Sequence, residues 1–174
     1  MPPPAVVLAG FAAGMAAAFE LARGELLLAA GLLVVKTVLD GADGALARAA
    51  GRETAFGRYL DSDCDLISNA ALFAALGYAT GRPLAAVVGF LASTFVLSLN
   101  FNLRRLHSGT QAMPAGGGWP RRLYELVYAP QDCLADRLVR RPPTLSTLWI
   151  LHNIGLATQH TAIAVCLALV ALTT

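Results

Sequence analysis

Charge is the scarcest property of this sequence: Asp, Glu, Lys and Arg together make up 14% of 174 residues, and the formal net charge is +2. So small a basic excess excludes a nucleic-acid-binding role built on phosphate neutralisation. Cysteine is rare too. Cys64, Cys133 and Cys166 are scattered, with no Cys-x-x-Cys pair and no metal-ligand spacing. That excludes a disulfide framework and leaves them as small apolar filler. The first apolar run also lacks a basic segment ahead of it and a small-residue cleavage site behind it, so it is expected to stay in the protein rather than be removed as a signal.

What the chain has instead is hydrocarbon. Hydrophobic residues make up 56% of it and mean hydropathy is +0.60. They gather in serial runs of about 14 to 20 residues, the length needed to cross a hydrocarbon core roughly 30 Å thick. The expectation is an all-α polytopic transmembrane bundle of five to six spanning helices, forming a single domain over residues 1–174. A first span covers Pro4 to Ala22. The second run, Leu26 to Leu39, rises only about 21 Å, so its helix must continue through GADGALARAA, which brings Asp40 and Asp43 to the interface or just inside it. A third helix runs from near Phe56 to Thr80, and Gly81, Arg82 and Pro83 end it. A fourth span covers Leu84 to Phe101. Residues 107–143 read as a cytoplasmic loop: a Gly- and Pro-rich connection over 107–120, then a helix on the membrane surface over 121–141, broken at Pro130. Residues 144–174 make one long helix or two short ones turning near Ala157 to His160.

Ten of the thirteen basic residues fall on one side of these spans, including Arg48, Arg52 and Arg58 after the second and Arg104, Arg105, Arg121 and Arg122 after the fourth. By the positive-inside rule that side is cytoplasmic, and the Asp-rich helix ends open toward it.

Asp40, Asp43, Glu53, Asp61, Asp63 and Asp65 account for six of the eleven acids, within two segments that are otherwise apolar. An ionisable group in a span costs roughly 2.5 to 3.5 kcal/mol on insertion scales, so function is the default explanation. Helical spacing sharpens it. Lys36, Asp40, Asp43 and Ala47 fall within about 60° of one another, with Gly44 beside them. Gly57, Asp61 and Asp65 stack at i, i+4 and i+8 on the next helix. Two antiparallel helices facing this way converge four carboxylates, a donor set suited to Mg²⁺, Mn²⁺ or Ca²⁺, with a pair of ions neutralising them. Asp63 lies about 200° from Asp61 and is expected to face elsewhere as an interfacial charge. Ion pairing with Arg48, Arg52 or Arg58 alone would not require small residues at Gly44, Ala47 and Gly57, which open room for a ligand.

Asp40, Asp43-Gly44, Ala47-Arg48, Gly57, Asp61 and Asp65 at these spacings resemble, position for position, the signature of the CDP-alcohol phosphotransferase family of integral membrane enzymes. The resemblance implies transfer of a substituted phosphoryl group from a CDP-alcohol, commonly CDP-diacylglycerol, to an acceptor hydroxyl with release of CMP. It further implies that Asp40, Asp43 and Asp61 hold divalent metal, probably as two Mg²⁺ or Mn²⁺ ions in such enzymes, that Asp65 is both general base and metal contact, and that Gly44, Ala47, Arg48 and Gly57 border the nucleotide. Family members are commonly homodimers.

The acceptor pocket is expected among polar residues near the cytoplasmic end: Asn100 and Arg104, four apart on the fourth span, with Asn102 and Arg105 nearby. Lys36, one turn before Asp40, either pairs with that aspartate or reaches a phosphate. His152, Asn153 and His160 read as polar helix contacts. Two rival readings are an intramembrane prenyltransferase, whose Asp motifs usually lie far apart in sequence, and a divalent-cation transporter, which should place acids in several spans and show an internal repeat.

Overall fold

A computed structural model describes residues 3–49, 51, 54–108, 118–138, 144 and 156–173. They form six helices, with no strand among the described residues: α1 (Pro3–Ala22), α2 (Leu26–Ala49), α3 (Ala55–Thr80), α4 (Pro83–Ser108), α5 (Gly118–Leu138) and α6 (Leu156–Thr173).

Local chemistry sets the boundaries. Gly24, at φ 84°, makes the turn from α1 into α2. Thr54 caps α3, its hydroxyl accepting from the Gly57 backbone N–H at 3.0 Å. At the far end of α3, Gly81 adopts a left-handed conformation and the Arg82 N–H returns to the Gly77 carbonyl at 3.0 Å, a Schellman-type stop. Pro83 follows as the first residue of α4, where its fixed φ suits a helix start and its missing N–H goes unneeded. As its length requires, α2 continues through both aspartates to Ala49.

Three boundary expectations change. No strong breaker follows Phe101 before Gly109, so α4 runs on through NLRRLH to Ser108. Gly118 to Pro120 belong to α5, so the connection expected over 107–120 is shorter at both ends, and residues 109–117 lie outside those described. Nor does Pro130 break α5. The Gln131 side-chain amide donates to the Val127 carbonyl at 3.1 Å, a local bond beside the point where proline interrupts the backbone ladder. The alternative turn at Ala157 to His160 falls inside α6, whereas residues 145–155, which bear on whether one helix or two end the chain, lie outside the described residues.

The packing is inverted relative to a soluble domain. Lys36, Asp63, Ser68, Asn69, Thr94, Ser98, Asn102 and His160 are buried, while Leu8, Phe19, Leu27, Val34, Val38, Leu84, Val87 and Leu172 are exposed. An apolar exterior around a polar interior suits a lipid surround, in which hydrocarbon contacts cost nothing and polar groups must find partners inside. Ala5–Ala22 and Pro83–Leu103 are each long and apolar enough to cross a bilayer by length and composition alone. Two helices, not five or six, meet that criterion; α2 and α3 are long enough, but their lysine and aspartates interrupt the apolar stretch.

In the arrangement, α1 packs on α2 and α3, α6 on α2, and α4 and α5 against α3 and each other. The apolar core joins α1, α2, α3 and α6 through Ala17, Leu21, Ala29, Leu33, Leu72 and Ala164. Small residues let the helices approach closely. At Gly77 an added methyl carbon would stand 2.8 Å from the Ala86 Cβ and 3.2 Å from the Pro83 Cα. Gly77→Leu is therefore expected to destabilise the protein by roughly 1–3 kcal/mol through overpacking. Thermal unfolding in mild detergent reads this as a lowered midpoint, and an unchanged midpoint would mean that α3 and α4 are not in this contact.

Candidate active site

The site forms where α2 and α3 face each other. Lys36 lies on α2 one turn before Asp40, so its ammonium reaches back to that carboxylate, donating to Oδ2 at 2.5 Å. The same nitrogen donates across to Asp65 Oδ1 on α3 at 2.6 Å. Lys36 is 1% exposed, whereas the side chains of Asp40 and Asp65 retain 23% and 22%. One buried cation thus clips two carboxylates from facing helices, and the carboxylates keep an open side. Asp61 lies within electrostatic reach of Asp65, Asp43 and Asp40.

Two glycines on α1 shape the closed side. At Gly10 an added Cβ would come 2.7 Å from Asp40 Oδ1, and at Gly14 it would come 2.9 Å from Ser68 and 3.0 Å from Lys36 Cδ. Spaced i, i+4, these glycines let α1 lie directly over the Lys36–Asp40 turn. Sequence reasoning missed their role, although the spacing was there to read.

The active stripe on α3 continues one turn beyond Asp65. Asn69, buried, donates to Ser93 Oγ on α4 at 3.3 Å, and the Ser93 hydroxyl donates to Gln159 Oε1 on α6. His160, also buried, lies within electrostatic reach of Lys36, and its Nδ1 has no hydrogen-bond partner among the described residues.

On the far side of α3 the expectation for Asp63 needs correcting. It is not an interfacial charge but a buried one, 2% exposed, with neither oxygen hydrogen-bonded among the described residues. The cause is α5, which covers this face: Tyr59 meets Tyr124 edge-on at 5.4 Å, and Tyr124 stacks toward Tyr128 at 4.9 Å. Tyr128 lies within electrostatic reach of Asp65, Asp63 and Asp132. Burial, reinforced by these carboxylates, raises its phenol well above the ordinary range, so it stays protonated and can only donate to an anion.

Of the residues considered for an acceptor pocket, Lys36 is committed to Asp40 and Asp65. Asn102 is fully buried in a structural network: its amide donates to the Ser98 carbonyl at 3.1 Å and to Asp132 Oδ1 at 2.9 Å, and the Ser98 hydroxyl donates to the same carboxylate. Asp132, on α5, gave no sequence signal. Asn100 is buried on α4. The side chains of Gly44, Ala47, Arg48 and Arg104 lie outside the described residues, as do Arg52, Glu53, His152 and Asn153. Gly57 opens α3 at its capped first turn.

Four carboxylates on facing helices are the hard oxygen donors that Mg²⁺ or Mn²⁺ takes. In donor type and placement Asp40, Asp43, Asp61 and Asp65 fit such an ion. A finished coordination shell is not preformed: among the described residues no three acid, imidazole or thiol groups already close on one point. Lys36 stands between two of them.

Comparison with known proteins agrees with this geometry. The model of the CDP-alcohol phosphatidyltransferase family matches residues 2–130, which include every aspartate of the cluster. An archaetidylinositol phosphate synthase of Methanothermobacter thermautotrophicus is 33% identical over 108 residues, covering 62% of this chain and 54% of that protein. A bifunctional IPC transferase and DIPP synthase of Rubrobacter xylanophilus is 31% identical over 113 residues, 65% of this chain and 26% of its own length. An archaetidylinositol phosphate synthase of Pyrococcus horikoshii is 39% identical over 70 residues, 40% of this chain and 37% of that one. The chain thus spans about half the length of the first relative and less of the other two. No solved structure matches it.

The glycine contacts on α1 give a controlled test. Gly10→Val should displace α1 from the Lys36–Asp40 turn and lower the thermal midpoint, with a cost of roughly 1–3 kcal/mol. Gly31→Ala, where an added Cβ meets nothing within 4 Å, should leave the midpoint unchanged or slightly raised. Equal behaviour of the two variants would remove α1 from the site.

Proposed function

The chain belongs to the CDP-alcohol phosphatidyltransferase family, and we propose that it transfers a phosphatidyl-type group from a CDP-linked lipid, such as CDP-diacylglycerol, to an acceptor hydroxyl in phospholipid synthesis, releasing CMP. The observation that carries this reading is the meeting of Asp40 and Asp65, from two facing helices, at one buried ammonium with Asp43 and Asp61 close by. The family match favours transfer over cation transport. The names of two relatives make a phosphorylated inositol the first acceptor to examine.

In this reading Asp40, Asp43 and Asp61, with Asp65 at the edge, hold Mg²⁺ or Mn²⁺ against the donor diphosphate. The bound ion would draw charge from the attacked phosphorus and stabilise CMP as it leaves. Asp65 acts from the acceptor side. With Oδ1 held by Lys36, its Oδ2 takes the proton from the acceptor hydroxyl as the new oxygen–phosphorus bond forms and the bond to CMP breaks. Lys36 fixes the orientation of that carboxylate. Tyr128, held protonated, is placed to donate to an anionic group beside Asp65. Gly44, Ala47, Arg48 and Gly57 border the nucleotide, and Asn100 and Arg104 lie at the end of α4 for an acceptor phosphate.

The protein is a membrane protein, with the site opening to the cytoplasm by the positive-inside rule. α2, α3 and α6 complete the bundle beside α1 and α4. A homodimer joined through Ala- and Gly-rich helix faces completes the reading.

CMP release from CDP-diacylglycerol by the purified protein, with Mg²⁺ or Mn²⁺ and inositol phosphate supplied, is the direct assay. Asp65→Asn should lower turnover roughly 10²- to 10⁴-fold while leaving donor binding in place. Asp40→Asn or Asp43→Asn should weaken donor binding instead. Asp63→Asn should stay within about twofold of the parent, because its carboxylate faces α5. Loss of donor binding in Asp65→Asn as severe as in Asp40→Asn would strip Asp65 of the base role.

A further inference from the structure

The unusual member of the cluster is its only base. Four carboxylates stand within reach of one another, and one fully buried lysine bonds two of them. We infer that the Lys36 ammonium is a permanent part of the cationic charge of this site, so that the cluster takes one divalent ion per chain where four carboxylates alone would accommodate two. The inference deepens the proposed function and rests on it only for the chemistry of the ion.

Position supports this first. The nitrogen lies 2.5 Å from Asp40 Oδ2 and 2.6 Å from Asp65 Oδ1, so an ion bridging those oxygens would have to occupy the same place. The lysine is also confined. Its stem runs beneath α1, where a single added carbon at Gly14 would already be only 3.0 Å from Cδ, with Ser68 equally close to that point. At 1% exposure it has no route to solvent that leaves α1 in place. A displaced ammonium would be left in an apolar interior without a counter-charge, which is strongly unfavourable.

Charge supports it next. The ammonium and one divalent ion together carry three positive charges against four carboxylates, leaving the cluster close to neutral. A second divalent ion beside the fixed ammonium would face repulsion at short range. That leaves Asp43 and Asp61, with the outward oxygens of Asp40 and Asp65, for a single ion. The sequence alone did not reveal this, because one of the two bonds of Lys36 crosses to a residue 29 positions away.

The test counts ions on the whole protein in detergent, without donor. After removal of metal by chelation, Mn²⁺ is titrated in and free Mn²⁺ is read by electron paramagnetic resonance. One tight Mn²⁺ per chain is expected for the parent protein, and two, or none, would overturn the inference. Lys36→Met keeps the length of the stem and removes the charge; it should bind a second Mn²⁺, and a folded variant that still binds only one would also overturn it. Should Lys36→Met fail to fold, the count on the parent protein decides. CMP release by the same preparation separates the two readings. One ion without CMP release would sustain the ion count and sink the transfer reaction, and CMP release with two bound ions would do the reverse.

Discussion

A lysine held between two aspartates organises this protein. In a setting that is apolar outside and thinly hydrated within, a bare ammonium or carboxylate is strongly disfavoured, so Lys36, Asp40 and Asp65 each depend on the others. Other arrangements follow from keeping them together. α2 must extend past its apolar run to present Asp40, α3 must face it with the stripe from Gly57 through Asp65, and α1 must be smooth at Gly10 and Gly14 to cover the clip. The contact is polar, yet it fixes the register of three largely apolar helices that hydrophobic packing alone would leave free to slide.

Much of this was legible in the sequence because it is local. Helical spacing alone placed Asp40 with Lys36 on one face of α2 and Asp61 with Asp65 on one face of α3, and the shortness of the second apolar run required its helix to continue to Ala49. The Gly81-Arg82-Pro83 stop and the Asp-Gly-Ala-Arg signature are likewise short-range signals. What escaped depends on contacts between distant segments. Asp63 looked like a surface charge until α5 came to lie over it, and the Tyr59–Tyr124–Tyr128 contacts that bring α5 there join residues some sixty positions apart. Pro130 read as a break because backbone rules say so, while the Gln131 side chain that supports the turn is visible only in three dimensions. Asp132 carries no motif and acquires its meaning from Ser98 and Asn102.

The division of polar groups over the interior is also informative. The side of α3 toward α2 carries the carboxylates assigned to chemistry, and the opposite side carries Asp63 against α5. The stripe beyond Asp65 passes through Asn69 and Ser93 to Gln159, linking α3, α4 and α6 by side-chain bonds where the helices have few large apolar residues to interdigitate. Such bonds contribute modestly in a bilayer, yet each leaves a polar group less costly than it would be alone.

The two-residue turn at Gly81 and Arg82 bears on how the chain is made. α3 brings three aspartates into its first half and is poorly suited to leave a translocation channel for lipid by itself. α4, which follows almost at once and is apolar over Pro83–Leu103, has no such difficulty. Because Gly77 sits against Ala86 and Pro83 at the turn, the two helices can partition as one hairpin, and the apolar partner carries the acidic one into the membrane. The sharpness of that turn is thus a condition of biogenesis as well as of the finished structure.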